Sequence, residues 1–276
     1  MSAILSTPAY WDCFADVYPA FGSPLVPSAE DVAVMEAAVE ELASSRPSAT
    51  LPALLLGVTP AIATMRWPER SFLTAVDRSS VMAARVWPGD IPGKRRVVCG
   101  DWLALPLPPA SCDVVAGDIV FNCLKYPEGV RALAARVRGV LSKNGIFVVR
   151  CFALPDSPQE DPESVFAEWQ ACASFHHFKL RLLMAMQPCV ERGTATNDVY
   201  RFWAKHWVHD DALSARPGWG RRDIDTIELH NGPNAIYTFP TLAQMRTVLE
   251  EFFAEIDVTF ASYPGGELCP TLVLRA

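Results

Sequence analysis

The chain has no Cys-x-x-Cys pair among its eight cysteines and no basic run longer than the triplet Lys94, Arg95 and Arg96. It has no apolar stretch near the roughly twenty residues that a membrane-crossing helix needs, and no repeat or low-complexity tract. The first absence removes the usual zinc and dithiol spacings, so no metal site is expected. The second, with a formal charge of −7, leaves no cationic face to neutralise phosphates, and no nucleic-acid partner is expected. The third removes a spanning helix, so no membrane partner is expected. The opening residues Met1, Ser2, Ala3, Ile4 and Leu5 carry no cationic start; no secretory signal is expected, and the placement read from this is cytoplasmic. A reducing compartment suits the cysteines, with Cys99, Cys112 and Cys151 acting as small hydrophobes in apolar strands.

Half of the 276 residues are hydrophobic, enough for a large core in one domain plus an insertion. Residues 53–63 are the centre of the pattern: an uncharged run broken at Gly57 and followed by Pro60. A parallel strand covered on both faces reads this way, because no position needs to be polar. Gly57 permits a sharp turn where a ligand approaches the strand end, and Pro60 suits the first position of a helix. About twenty residues on, the apolar run 71–77 ends in Asp77, the spacing at which an acid accepts from ribose hydroxyls in nucleotide folds. The runs 96–101 and 112–118 repeat the design and end in Asp101 and Asp118. The alternative for Asp77, as for Asp118, is an acid that caps the next helix.

Several strand-glycine-acid units in a row indicate a doubly wound sheet with its site at the strand tips. In these residues, over roughly 28–152 and the C-terminal segment, the chain resembles the class I S-adenosylmethionine-dependent methyltransferases. The resemblance implies an α/β, Rossmann-like, doubly wound seven-stranded sheet, mostly parallel with the last strand antiparallel. Helices would cover both faces, and a helical insertion would follow the fifth strand. Residues 1–276 are read as a single domain, with 1–50 a helical and aromatic cap and 153–238 an insertion forming a lid or substrate wall.

The resemblance also implies S-adenosylmethionine as cofactor and S-adenosylhomocysteine as product. Gly57 would lie under the methionine portion, with Val58 and Thr59 offering contacts. Asp77, with Arg78 beside it, would take the ribose hydroxyls, and Met82 would flank the adenine. Asp101 would accept from the adenine amino group and Trp102 would donate a backbone amide. Asp118 and Ile119 would open onto the methionine portion and the reacting centre. The glycine loop departs from the family's common form: Leu55 stands where an acid is usual, and Val58, Thr59, Pro60 and Ala61 replace further glycines. Without a second glycine, close approach of a dinucleotide pyrophosphate is also disfavoured.

In the first segment, Tyr10, Trp11 and Tyr18 could wall a sulfonium cation or a substrate ring, or form an outer aromatic staple. Ser28 and Asp31 open a helix over 29–44 whose stripe is Val32, Met35, Val39 and Leu42. A helix is expected over 127–143, stopped by Asn144 and Gly145, then a fifth strand over 146–152. In the insertion, one helix is expected from Asp161 to about Met186 and another over 198–213. His176 and His177 face different ways in packed or surface roles. His206 and His209, at helical spacing, could supply a general base, hold a metal or simply pack. Trp203 and Trp207 could line an apolar acceptor pocket or form a packing stripe. A capping box at Thr241 and Gln244 opens a helix to about Ala254, and strands are expected over 255–263 and 268–275. The function read from all this is methyl transfer from S-adenosylmethionine to a small-molecule acceptor by in-line displacement. The alternative is a non-catalytic protein that binds S-adenosylmethionine or a nucleoside as a sensor or partner subunit.

Overall fold

A computed structural model describes residues 5–46, 50–105, 107–207 and 219–276. The strands in chain order are β1 (Leu51–Leu56), β2 (Ser71–Asp77), β3 (Arg95–Cys99), β4 (Cys112–Asp118) and β5 (Leu141–Arg150). Then come β6 (Thr194–Ala195), β7 (Ile236–Tyr237), β8 (Glu255–Thr259) and β9 (Thr271–Arg275). The helices are α1 (Pro8–Val17), α2 (Ala29–Ser44), α3 (Pro60–Ala63), α4 (Ser80–Arg85) and α5 (Glu128–Val140). They continue with α6 (Pro162–Ala167), α7 (Phe175–Ala185), α8 (Thr196–His206), α9 (Arg221–Asp225) and α10 (Leu242–Leu249).

Seven strands form one sheet in the order β3-β2-β1-β4-β5-β9-β8, and β6 pairs with β7 apart from it. β1 to β5 run parallel, and β9 lies antiparallel to both β5 and β8. The order reverses between β1 and β4, and it is outside the carboxyl ends of such strands that open α/β sheets bind ligands.

The unbroken apolar run of β1 has a simple cause. Leu54 and Leu56, with Val115, Phe147 and Val149, meet Val130, Leu133 and Val137 of α5 and Met245 and Val248 of α10. Leu51, Ala53 and Leu55, with Val114 and Ala116, meet Met35, Val39 and Leu42 of α2 and Ile62 and Met82 beyond. Both faces are therefore covered by helices, at roughly 2 kcal/mol for each large side chain withdrawn from water. The α2 stripe follows the sequence pattern, and its start is a capping box: Ser28 N donates to Asp31 at 2.7 Å and Asp31 N to Ser28 at 3.2 Å. A third cluster joins α1, α7, α8 and the stretch 219–239 to Ile119, Cys123 and Phe152, residues that follow the strand tips.

Several boundaries differ from the sequence pattern. α5 ends at Val140, and Asn144 and Gly145 belong to an irregularity inside β5, not to a helix stop. The register jumps from Cys112↔Leu141 to Val114↔Ile146, and Asn144 takes a φ of 59° to make the bulge. The expected helix from Asp161 divides into α6, a tight turn at Trp169–Ala171, and α7, because Ser174 caps a fresh start by accepting from His177 N at 3.1 Å. The helix expected over 198–213 is α8, ending at His206, and the remainder of that stretch falls outside the described residues apart from Trp207. The closing strands are shorter, with a tight turn at Gly266–Leu268 before β9. Cys99 is exposed, since β3 is the sheet edge, whereas Cys112 and Cys151 are buried as hydrophobes. His176 and His177 are both buried: His176 stacks on Phe21, and the ring of His177 lies beside Gly265.

Candidate functional site: a cavity at the strand switch point

The tips of β1, β2 and β4 converge on one cavity, lined mostly by apolar side chains with a few polar groups among them. Gly57 turns the chain at φ +93° as β1 ends, and its N donates to Val76 O at 2.8 Å. That φ is why a glycine is needed here. A Cβ on it would stand 3.7 Å from the Trp102 ring and 3.9 Å from Asp77 Oδ2, so these groups share one small space. Val58 and Thr59 continue the wall into α3.

Asp77 ends β2 and faces the cavity, where Ser79 N donates to its Oδ1 at 2.8 Å. Burial pushes its carboxyl up to about 6, against the pull of the Ser79 and Arg78 amides and the Arg78 charge. Asp118 ends β4, and Arg150 on the neighbouring β5 donates to it from Nε at 2.7 Å. Burial raises the Asp118 carboxyl, while the Arg150 guanidinium pulls it back. Arg150 is fully enclosed; its Nη1 donates to Pro24 O at 2.8 Å and stands 3.9 Å from Asp31 Oδ2. One guanidinium thus ties the α2 cap, the β4 tip and the first segment together. Ile119, the next residue, has φ +51°, a genuine outlier for a β-branched side chain. Such strain, of order 1–3 kcal/mol, clusters at ligand sites.

α1 closes the cavity with Trp11 and Phe14, and Tyr18 follows just past its end. The helix is clamped to α4: Ser79 Oγ donates to Asp12 at 2.6 Å, and Arg85 pairs with Asp16. Burial raises the Tyr18 phenol, with Asp118 adding to the shift, so the ring enters the site neutral. A second, smaller chamber adjoins this cavity and shares Phe14, Leu25 and Ile119 with it. Its other walls include Phe21, Phe152, Phe239, Lys179 and His230. Tyr237 OH donates to Tyr10 OH there at 3.3 Å.

The cavity brings together Trp11, Tyr18, Gly57, Val58 and Thr59 with Asp77, Arg78 and Met82. Trp102, Asp118 and Ile119, also named from the sequence, line it as well. Trp102 contributes its ring, whose Nε1 donates to Val76 O at 2.8 Å. Asp101 lies just outside the lining, accepting from Leu103 N at 2.9 Å and standing 3.9 Å from Arg78 Nε. Tyr10 faces the inner chamber. Trp203 and Trp207 stack on each other at 4.3 Å in the aromatic cluster and line neither cavity. His206 is also elsewhere: its Nε2 lies 3.0 Å from Glu163 and its Nδ1 bonds Phe202 O at 2.8 Å, so both ring nitrogens are engaged. His209 lies outside the described residues. Sequence reasoning passed over Phe14, Leu25, Arg150, Lys179 and His230; the only signal was a charge inside the apolar runs of β5 and α7.

Among the described residues no group of three His, Cys, Asp or Glu could hold a metal ion, and no helix is long and apolar enough to cross a membrane. A sheet of this order, with its cavity at the reversal and acids at successive tips, is the doubly wound architecture in which open α/β sheets bind ligands. Residues 54–149 match the family model described as a methyltransferase domain. The match spans β1 to β5, the part of the chain that carries the strand tips around the cavity, and there the chain is similar to a methyltransferase domain. None of the curated proteins matches it.

Among solved structures it is similar to the CurJ carbon methyltransferase, at 12% identity and TM-score 0.54 over 96% of this chain and 61% of that one. A Rhodobacter sphaeroides protein described as a Zn-dependent alcohol dehydrogenase is similar at 10% identity and TM-score 0.57, over 98% of each chain. A Methanosarcina mazei protein described as a S-adenosylmethionine-dependent methyltransferase has 14% identity and TM-score 0.44, over 81% of this chain and 91% of that one. The likeness to the first two, at such identities, extends to the fold alone.

Proposed function

We propose that this protein transfers the methyl group of S-adenosylmethionine to a small-molecule acceptor by in-line displacement. The outer cavity holds the cofactor and the inner chamber holds the acceptor. The observation that carries this reading is the junction of the two spaces: the strand-tip cavity shares Phe14, Leu25 and Ile119 with a chamber walled by aromatic rings. The lining fits an adenosyl group. Asp77 offers carboxylate oxygens for paired hydroxyls, Met82 gives an apolar flank, and the bare backbone of Gly57 leaves room for close approach. Val58 and Thr59 would contact the methionine portion, with Asp118 and Ile119 beside the reacting centre and Tyr18 beside the sulfonium.

When bound, the cofactor supplies a methyl group already activated by positively charged sulfur. That leaves the chain alignment, exclusion of water and, for some acceptors, proton removal. α1 does the excluding, since it roofs the cavity and is pinned to α4 by the Ser79–Asp12 and Arg85–Asp16 contacts. The buried Arg150 holds Asp118 at a set orientation, so the β4 tip adds no loose charge near the reacting atoms.

Titration of S-adenosylmethionine, S-adenosylhomocysteine and NAD, followed by tryptophan fluorescence, tests this, because Trp11 and Trp102 line the cavity. The first two ligands should bind and quench, and incubation with small-molecule extracts should release S-adenosylhomocysteine. Preference for NAD, or methyl transfer only to macromolecular fractions, would overturn it.

A further inference from the structure

Lys179 lies on α7 and is 1% exposed. Its Nζ donates to Thr226 Oγ1 at 2.7 Å and Thr226 O at 3.4 Å, and stands 4.3 Å from the centre of the Phe21 ring. Among the described residues no carboxylate comes within ion-pair distance of it; Asp223, the acid that bears on it, sits 3.7 Å from His176 Nε2. The other titratable groups around it are His176, His230, Tyr10 and Tyr237. His230 is buried with its Nδ1 unpartnered. An ammonium here would be a buried charge without a counter-ion, a cost of several kcal/mol. Burial accordingly pushes the amine well below its ordinary value, toward the neutral form. Such a group waits for an acid. A carboxylate would have to shed its water before entering these apolar walls, whereas a hydroxyl acid enters neutral and gives up its proton afterwards.

We propose that the inner chamber binds a planar, largely apolar acceptor bearing one acidic hydroxyl, a phenol or an enol, and that Lys179 takes that hydroxyl's proton. The O–H bond breaks with its electron pair left on oxygen, and the Nζ lone pair binds the proton. The result is an ammonium–phenolate or ammonium–enolate pair, in which the anion is the nucleophile. Phe21, Phe152, Phe239 and Tyr237 supply the flat walls, and Ile119 lines both this chamber and the cofactor cavity. This assignment rests on the methyl-transfer reading above.

The probe is 4-nitrophenol, added to protein saturated with S-adenosylhomocysteine at a pH where the free probe is mostly un-ionised. Its phenolate absorption band should appear on binding to the wild type. In Lys179→Met and Lys179→Gln the phenolate fraction of the bound probe should fall by about tenfold or more. Both variants should keep S-adenosylhomocysteine affinity and melt no lower than the wild type, since an apolar or neutral residue replaces an unpaired buried amine. A bound probe that stays a phenol in the wild type, the same band in either variant, or no probe binding despite S-adenosylhomocysteine binding overturns the assignment. Failure of S-adenosylhomocysteine to bind any of the three proteins would instead sink the methyl-transfer reading.

Discussion

Asp77→Asn separates what the β2 tip costs the fold from what it gives the ligand. The Asp77 carboxyl is raised from 3.8 to about 6, chiefly by burial. As pH rises past about 4 the unfolded chain ionises at this position while the folded chain keeps its proton, so unfolding is favoured until the folded group also ionises near 6. Two pH units at 1.36 kcal/mol each make the ligand-free protein about 3 kcal/mol less stable at pH 7 than it would be with a neutral group there. Asparagine keeps the oxygen that accepts from Ser79 N and carries no charge. Urea unfolding of the ligand-free proteins should therefore show Asp77→Asn gaining on the wild type by up to about 3 kcal/mol between pH 4 and pH 7, flat on either side. The same change should weaken S-adenosylhomocysteine binding by about ten- to a hundredfold at pH 7, because hydrogen bonds to a charged acceptor contribute about 1.5–3 kcal/mol. Wild-type affinity should climb through pH 5 to 7 while that of the variant stays level. A stability difference independent of pH would show that this carboxylate is not desolvated, and the reasoning would fail.

Arg150→Met should destabilise the fold by about 3–5 kcal/mol in chemical denaturation, since it strands the buried Asp118 and Asp31; adding Asp118→Leu should recover a large part of the loss. Gly57→Ala should cost about 1–2 kcal/mol from its φ of +93° and reduce cofactor affinity by isothermal titration, with the β1 core unchanged. Trp203→Ala should lower stability by about 3–5 kcal/mol, yet leave S-adenosylhomocysteine affinity within a factor of about two, because the ring packs away from both cavities. His206→Gln should retain wild-type methyl transfer across pH 6 to 9, its ring being held by Glu163 and Phe202.

The legible part of this site is the part that repeats. Each parallel strand is a short apolar run ending in a turn, so Gly57, Asp77 and Asp118 announce themselves by position, and the fold class follows from their succession. Asp101 obeys the same pattern and still falls outside the cavity lining, because past the edge strand β3 its carboxylate bonds Leu103 N instead. His206 and the Trp203 and Trp207 pair looked chemical by residue type, but α8 turns them into the aromatic cluster around Phe166 and Phe178.

Local sequence determined where strands end, which face of α2 is apolar and where capping boxes start helices, since these depend on residues within a turn or two of one another. Tertiary structure alone decided which charges became enclosed. Arg150 meets Asp118 because β4 and β5 are neighbours, and Asp31 because α2 packs on the same edge. Lys179 loses its water only when α7, Thr226 and the rings of the first segment close around it. Desolvation is a property of everything that surrounds a group, and no stretch of chain carries its own surroundings.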